Sequence, residues 1–135
     1  MKGHRYLRAY MAGIAIPTLF LLVAMLAFTI ARYGQNVPIP VERVIVFPMA
    51  LIPNLWGLWN MLYVWLRGHF QVPIGLHGAV LVVLIVPLGV ALAKVLGFGF
   101  PSHPLAVLGP AAALVVYYLV WKYVVKFLNN LLEIP

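Results

Sequence analysis

Residues 9–31 read AYMAGIAIPTLFLLVAMLAFTIA and lie between Arg8 and Arg32 without an Asp, Glu, Lys or Arg among them. A helix rises about 1.5 Å per residue, and the hydrocarbon core of a bilayer is about 30 Å thick. This stretch is therefore long enough to cross a membrane as a helix. It is too long for a signal-peptide core and no Ala-x-Ala site follows it, so we expect a retained signal anchor.

Three further stretches lack the same four charged residue types and are at least as long, namely residues 44–66, 68–93 and 95–121. Strands of a membrane barrel would instead alternate in polarity over about ten residues. The sequence therefore predicts an all-α integral membrane protein, a single up-down-up-down bundle of four transmembrane helices in one domain, residues 1–135. The predicted helices cover residues 10–31, 44–66, 74–93 and 105–123.

The composition supports this fold class and excludes others. The chain is 65% hydrophobic and 8% charged, with a mean hydropathy of +1.06. A soluble domain needs about a quarter of its residues charged, and disordered chains are poor in apolar residues. Because the chain has no cysteine, disulfides and thiolate metal sites are excluded.

Basic residues predict the orientation, because Lys and Arg are enriched in cytoplasmic loops. The predicted topology places six of them on the side of the termini and three on the other. We therefore expect both termini in the cytoplasm, in a plasma or inner membrane. The six are Lys2, Arg5, Arg8, Arg67, Lys122 and Lys126, and the three are Arg32, Arg43 and Lys94.

The formal net charge of +7 predicts attraction to anionic lipid headgroups. No basic stripe on a soluble face is available for nucleic acid, so we do not expect a nucleic-acid partner. Residues 124–135 predict an amphipathic helical extension. Two interpretations stay open: the extension lies flat at the interface, which we favour, or it continues helix four and docks on a partner. Its polar face contains Lys122, Lys126, Asn129, Asn130 and Glu133.

Every predicted span contains proline, which removes an amide donor and kinks a helix. The prolines are Pro17, Pro48, Pro53, Pro87 and Pro110. Small residues at helical spacing predict close packing within the chain or against a neighbour. They form three pairs, Ala9 with Gly13, Gly89 with Ala93, and Gly109 with Ala113.

One face of helix two is a candidate ligand pocket, because Pro53, Trp56, Asn60 and Tyr63 recur at helical spacing along it. Trp56 would form the wall and Asn60 the hydrogen-bond donor for a small amphipathic molecule or a quinone-like ring. The alternative, which we favour, is that Asn60 bonds a neighbouring helix, an interaction typically worth about 0.6 kcal/mol.

Catalytic chemistry is sparse, because the chain has only two acidic residues, Glu42 and Glu133, and one serine, Ser102. Carboxylate pairs, catalytic triads and carboxylate metal sites are therefore not available, and we do not expect an enzyme or a metal site. His77 is a weak haem candidate, since haem in a bundle needs two facing histidines. We expect no cofactor, and a packed histidine is the alternative.

Two function classes remain. The first is a non-catalytic accessory or assembly subunit of a larger membrane complex, whose partners are other membrane subunits. The second is a homo-oligomeric small transporter or channel with a pocket lined by helix two. Against the second stands the lack of intramembrane charge, which ion pathways usually contain.

Overall fold

The computed structural model describes residues 3–38, 49–95, 97 and 105–134, and in these residues all regular structure is helical. Helix α1 covers Arg5–Gly34, α2 covers Leu51–Leu66, α3 covers Ile74–Val95 and α4 covers Leu105–Val120. A π-helical turn at Trp121–Val125 continues α4 directly into α5, Lys126–Leu131. The amphipathic extension therefore continues helix four, and its docking on a partner stays a prediction.

Among the described residues, three helices are long and apolar enough to cross a membrane: α1, α3, and the continuous helix over Leu108–Leu131. The chain thus has the length and composition of an integral membrane protein. The remaining predicted span, residues 44–66, is described only in part. Its residues 44–48 lie outside the described residues, and α2 has 16 residues.

The predicted and observed helix boundaries agree best at the connection between α2 and α3, which begins with an arginine and ends with a proline. Helix α2 ends at Leu66 and α3 begins at Ile74, both at the predicted residue. Helix α1 begins five residues earlier than predicted, at Arg5. The part of α1 that precedes the predicted start includes Arg8. A long basic side chain can reach polar surroundings from a helix that is otherwise apolar.

Three prolines lie inside helices that continue through them: Pro17 in α1, Pro87 in α3 and Pro110 in α4. Pro53 instead lies in the first turn of α2. Amide groups of a first turn have no partner within the helix, so a proline is tolerated there. Pro48 lies outside the described residues.

Residue contacts divide the chain into two compact units, residues 1–62 and residues 63–135. In the first unit, the N-terminal half of α1 packs on α2. A Cβ added at Gly13 would lie 2.6 Å from the Trp56 carbonyl oxygen and 2.8 Å from the Cα of Gly57. The two backbones therefore touch, and Gly13 is needed for this approach.

In the second unit, the N-terminal half of α3 packs on α4 and the π turn. Gly78 faces the indole of Trp121, and Gly75 faces the ring of Tyr118. Trp121 and Val125, the first and last residues of the π turn, are both fully buried. In this unit, aromatic side chains of α4 and the π turn therefore pack against a glycine-containing face of α3.

Burial stops halfway along two membrane-length helices. The buried residues of α1 end at Pro17, and those of α3 end at Val82. The following halves of both helices are apolar and contain half-buried and exposed side chains only. The buried residues of each helix are therefore confined to its N-terminal half.

Candidate functional site

The predicted stripe on helix two is divided between the two units. Trp56 and Asn60 lie in the first unit and are buried, with Asn60 fully so. Pro53 is half-buried in the first turn of α2. Tyr63 is buried and is the first residue of the second unit.

Within the first unit, the Asn60 amide bonds the neighbouring helix. Its Nδ2 donates to the carbonyl oxygen of Ala9 at 2.7 Å. In the same helix contact, the hydroxyl of Tyr10, the residue after Ala9, donates to the Asn54 Oδ1. This geometry fits the interhelical interpretation of Asn60, and the ligand pocket stays a prediction.

His77, the weak haem candidate, is buried among aromatic rings. Its ring centroid lies 5.2 Å from that of Tyr63 and 5.7 Å from that of Trp121, in an edge-on arrangement. His69 contacts a different ring, that of Trp65, at 5.0 Å. Across the part of the chain that is described, His, Asp and Glu form no group of three or more that could hold a metal ion.

A cleft of about 430 Å³ lies in the second unit. Its lining comes from the last turn of α2, the short connection after it, the start of α3, and the helix formed by α4, the π turn and α5. Four buried residues contribute to the lining. They are Tyr63, Ile74, Gly75 and Asn129.

Three cationic side chains, Arg67, Lys122 and Lys126, are exposed at the edge of this cleft, which we call the basic cleft. The Lys122 ammonium lies 5.6 Å from the ring centre of Tyr118 and 5.3 Å from that of Tyr123. Such distances allow cation–π attraction. No acidic side chain is among the described residues that line the cleft.

The backbone adds partial positive charge to the basic cleft. Ile74 and Gly75 form the first turn of α3, which contains no acidic residue. The amide groups of a first turn point away from the helix and carry the positive end of the helix dipole. Side chains and backbone therefore both favour an anion here.

On the opposite wall, the helix end beside Asn129 is closed by its own backbone. The Ile134 amide donates to the Asn129 carbonyl at 2.9 Å, and the Glu133 amide donates to the Asn130 carbonyl at 3.0 Å. Glu133 adopts a left-handed conformation, with φ of 50°. This pairing is the Schellman arrangement, and it fixes the position of Asn129.

The predicted topology puts Arg67, Lys122 and Lys126 on the same side of the membrane, but the sequence does not predict the cleft. A signal was present in the spacing of Tyr118, Lys122, Lys126 and Asn130, which recur every four residues. Their proximity to Arg67 depends on the fold of the connection after α2, which periodicity does not report.

Comparison with protein-family models, with curated proteins and with solved structures found no match for this chain. Its function must therefore be inferred from its own residues.

Proposed function

We propose that the protein is a non-catalytic accessory or assembly subunit of a larger membrane complex. In this proposal the chain crosses a plasma or inner membrane four times as a proline-kinked bundle, with both termini in the cytoplasm. Its partners are other membrane subunits and the anionic lipids around them. A homo-oligomeric transporter or channel with a pocket on helix two is the alternative.

The proposal is based on a difference among the three small-residue pairs: one pair packs inside the chain, whereas the glycines of the other two face open space among the described residues. Ala9 and Gly13 pack inside the chain, where Ala9 is fully buried. A Cβ added at Gly89 or Gly109 meets no atom within 4 Å. Small residues let helices approach closely in a membrane, where apolar area alone gives little association. Two such positions are open to helices of another chain.

Extraction in mild detergent followed by native mass spectrometry tests the proposal. Several different proteins at fixed stoichiometry would support an accessory subunit. A homo-oligomer that carries only lipid or a small molecule would favour the alternative and direct attention to Trp56 and Asn60. A monomer without protein partners would contradict both.

Matched variants locate the contact. Gly89→Leu and Gly109→Leu fill the open positions, and we expect each to lower the yield of co-purified partner while the chain still folds. Ala91→Leu and Ala111→Leu are the controls, because both residues are exposed and lie two positions further, on the opposite side of their helix. Equal loss in tests and controls would contradict a contact through the glycines.

The orientation has its own test, which is simple because the chain has no cysteine. Ser102→Cys should react with an impermeant maleimide added to intact cells, whereas Asn130→Cys should react only after the membrane is opened. The reverse result would overturn the proposed orientation. Labelling of both from the same side would overturn the four spans.

A further inference from the structure

We propose that the basic cleft binds the phosphate of an anionic phospholipid headgroup. The cleft concentrates three of the chain's nine basic residues at one concavity. Arg67 offers a planar fork of donors, and Lys122 and Lys126 offer ammonium groups, which together suit the oxygens of a phosphate. Nothing acidic among the described lining residues competes for them.

The position of the cleft along the helices favours a lipid over a free ion. The cleft opens where the apolar sequence of α3 begins, at Ile74. Exposed apolar side chains continue from the cleft along α4, where Val115 and Leu119 lie three residues before the lining residues Tyr118 and Lys122. A headgroup in the cleft would therefore have its acyl chains beside an apolar surface.

The aromatic residues of the cleft fit the same ligand. Tyr63 and Tyr118 line it, and tyrosine prefers the headgroup level of a bilayer. The rings of Tyr118 and Tyr123 hold the Lys122 ammonium near the cleft without neutralising its charge. The cation is thus oriented before the ligand arrives, which lowers the entropy cost of binding.

The experiment compares two triple variants of the full chain in nanodiscs of phosphatidylcholine with a minor fraction of phosphatidylglycerol. The test variant is Arg67→Gln/Lys122→Gln/Lys126→Gln. The control, Arg5→Gln/Arg32→Gln/Lys94→Gln, removes the same number of charges at described residues that do not line the cleft. Retained lipid is counted by native mass spectrometry, and affinity is measured by lipid titration.

We expect the unaltered chain to retain one phosphatidylglycerol in preference to phosphatidylcholine. Each basic residue near a membrane surface contributes roughly a fivefold change in affinity, so the test variant should bind about a hundredfold more weakly. The control should bind like the unaltered chain. Equal losses in both variants, or equal retention of the two lipids, would overturn the proposal, because they indicate diffuse attraction by net charge.

A further arm separates the lipid from free phosphate. The unaltered chain in nanodiscs of phosphatidylcholine alone is titrated with inorganic phosphate, and we expect binding far weaker than that of phosphatidylglycerol. Equal affinity would overturn the lipid assignment.

The thermal unfolding midpoint of each variant is the folding control. If the test triple does not fold, Lys126→Gln alone, at an exposed position, should weaken binding about fivefold, and an unchanged affinity would contradict the proposal.

Discussion

The two units pack their helices through glycine in different ways. At Gly13, the nearest atoms to an added Cβ belong to the backbone of α2, at Trp56 and Gly57. At Gly78, the nearest atoms belong to the side chain of Trp121, which is fully buried. The first contact is backbone against backbone, and the second is backbone against an aromatic side chain.

The difference shows what each glycine permits. Close approach of two backbones brings the carbonyl oxygen of Ala9 within reach of the Asn60 amide, so packing and hydrogen bonding reinforce each other. In the second unit, the space left by Gly78 accommodates an indole, and His77 contacts the same ring. Stability in the first unit thus depends on a polar contact as well as on close packing, whereas the second unit relies on aromatic packing.

The largest expected effect is that of Gly78→Ala. The new methyl group would overlap the Cβ and Cγ of Trp121, which cannot move away because the indole is fully buried. Overpacking of this kind costs about 3 kcal/mol at the upper end of its usual range. The free energy of unfolding in mixed micelles measures it.

A double-mutant cycle with Trp121→Ala sharpens this result. In that background, Gly78→Ala should cost much less, because the overlapping side chain is absent. An unchanged cost would show that the clash is not with Trp121. Gly109→Ala is the matched control, since its added Cβ meets nothing within 4 Å, and we expect little change.

Gly13→Ala should have the next largest effect, about 2 kcal/mol, because the methyl group would meet two backbone atoms and α1 would have to move away from α2. Hydrogen exchange should show faster amide exchange in α1 and α2, with α3 and α4 unchanged, because the affected contacts lie within the first unit. Gly89→Ala is the control in an open position. Faster exchange throughout the chain would contradict a local effect.

Asn60→Leu should cost less, about 1 kcal/mol, because hydrogen bonds between membrane helices average about 0.6 kcal/mol and Asn60 is fully buried. The free energy of unfolding measures this loss. If α2 instead lines a ligand pocket, the substitution would abolish ligand binding and leave stability unchanged. That outcome would favour the transporter or channel.

Charge spacing predicted the three membrane-length helices that the described residues show, because exclusion of ionised groups from hydrocarbon is the strongest constraint on such a chain. It could not indicate which small-residue pair packs internally, since Gly13 and Gly109 look alike until a partner surface is known. The π turn at Trp121–Val125 was not predicted either. A single wider turn leaves the apolar pattern nearly unchanged, so a period of 3.6 residues does not reveal it.

The basic cleft illustrates the same limit. The four-residue spacing from Tyr118 to Asn130 predicts a polar face, but a cleft requires a second wall. That wall comes from Arg67 and Pro73, in a connection held by short-range backbone bonds such as the Phe70 amide to the Leu66 carbonyl at 2.7 Å. The cleft therefore depends on bringing this connection beside residues 118–130, which a periodic pattern within one helix does not report.

Tyr10→Phe should have the smallest effect, and it separates polar contact from ring packing in the first unit. It removes the hydroxyl that donates to Asn54 Oδ1 but keeps the ring that packs on Gly57. Since Asn54 is exposed and the loss is partly offset by solvent, we expect about 0.5 kcal/mol in the free energy of unfolding. Tyr10→Ala, which also removes the ring, should cost several times more. If the two substitutions cost the same, the hydroxyl and not the ring would hold this end of α1 on α2, and polar contacts would dominate the first unit.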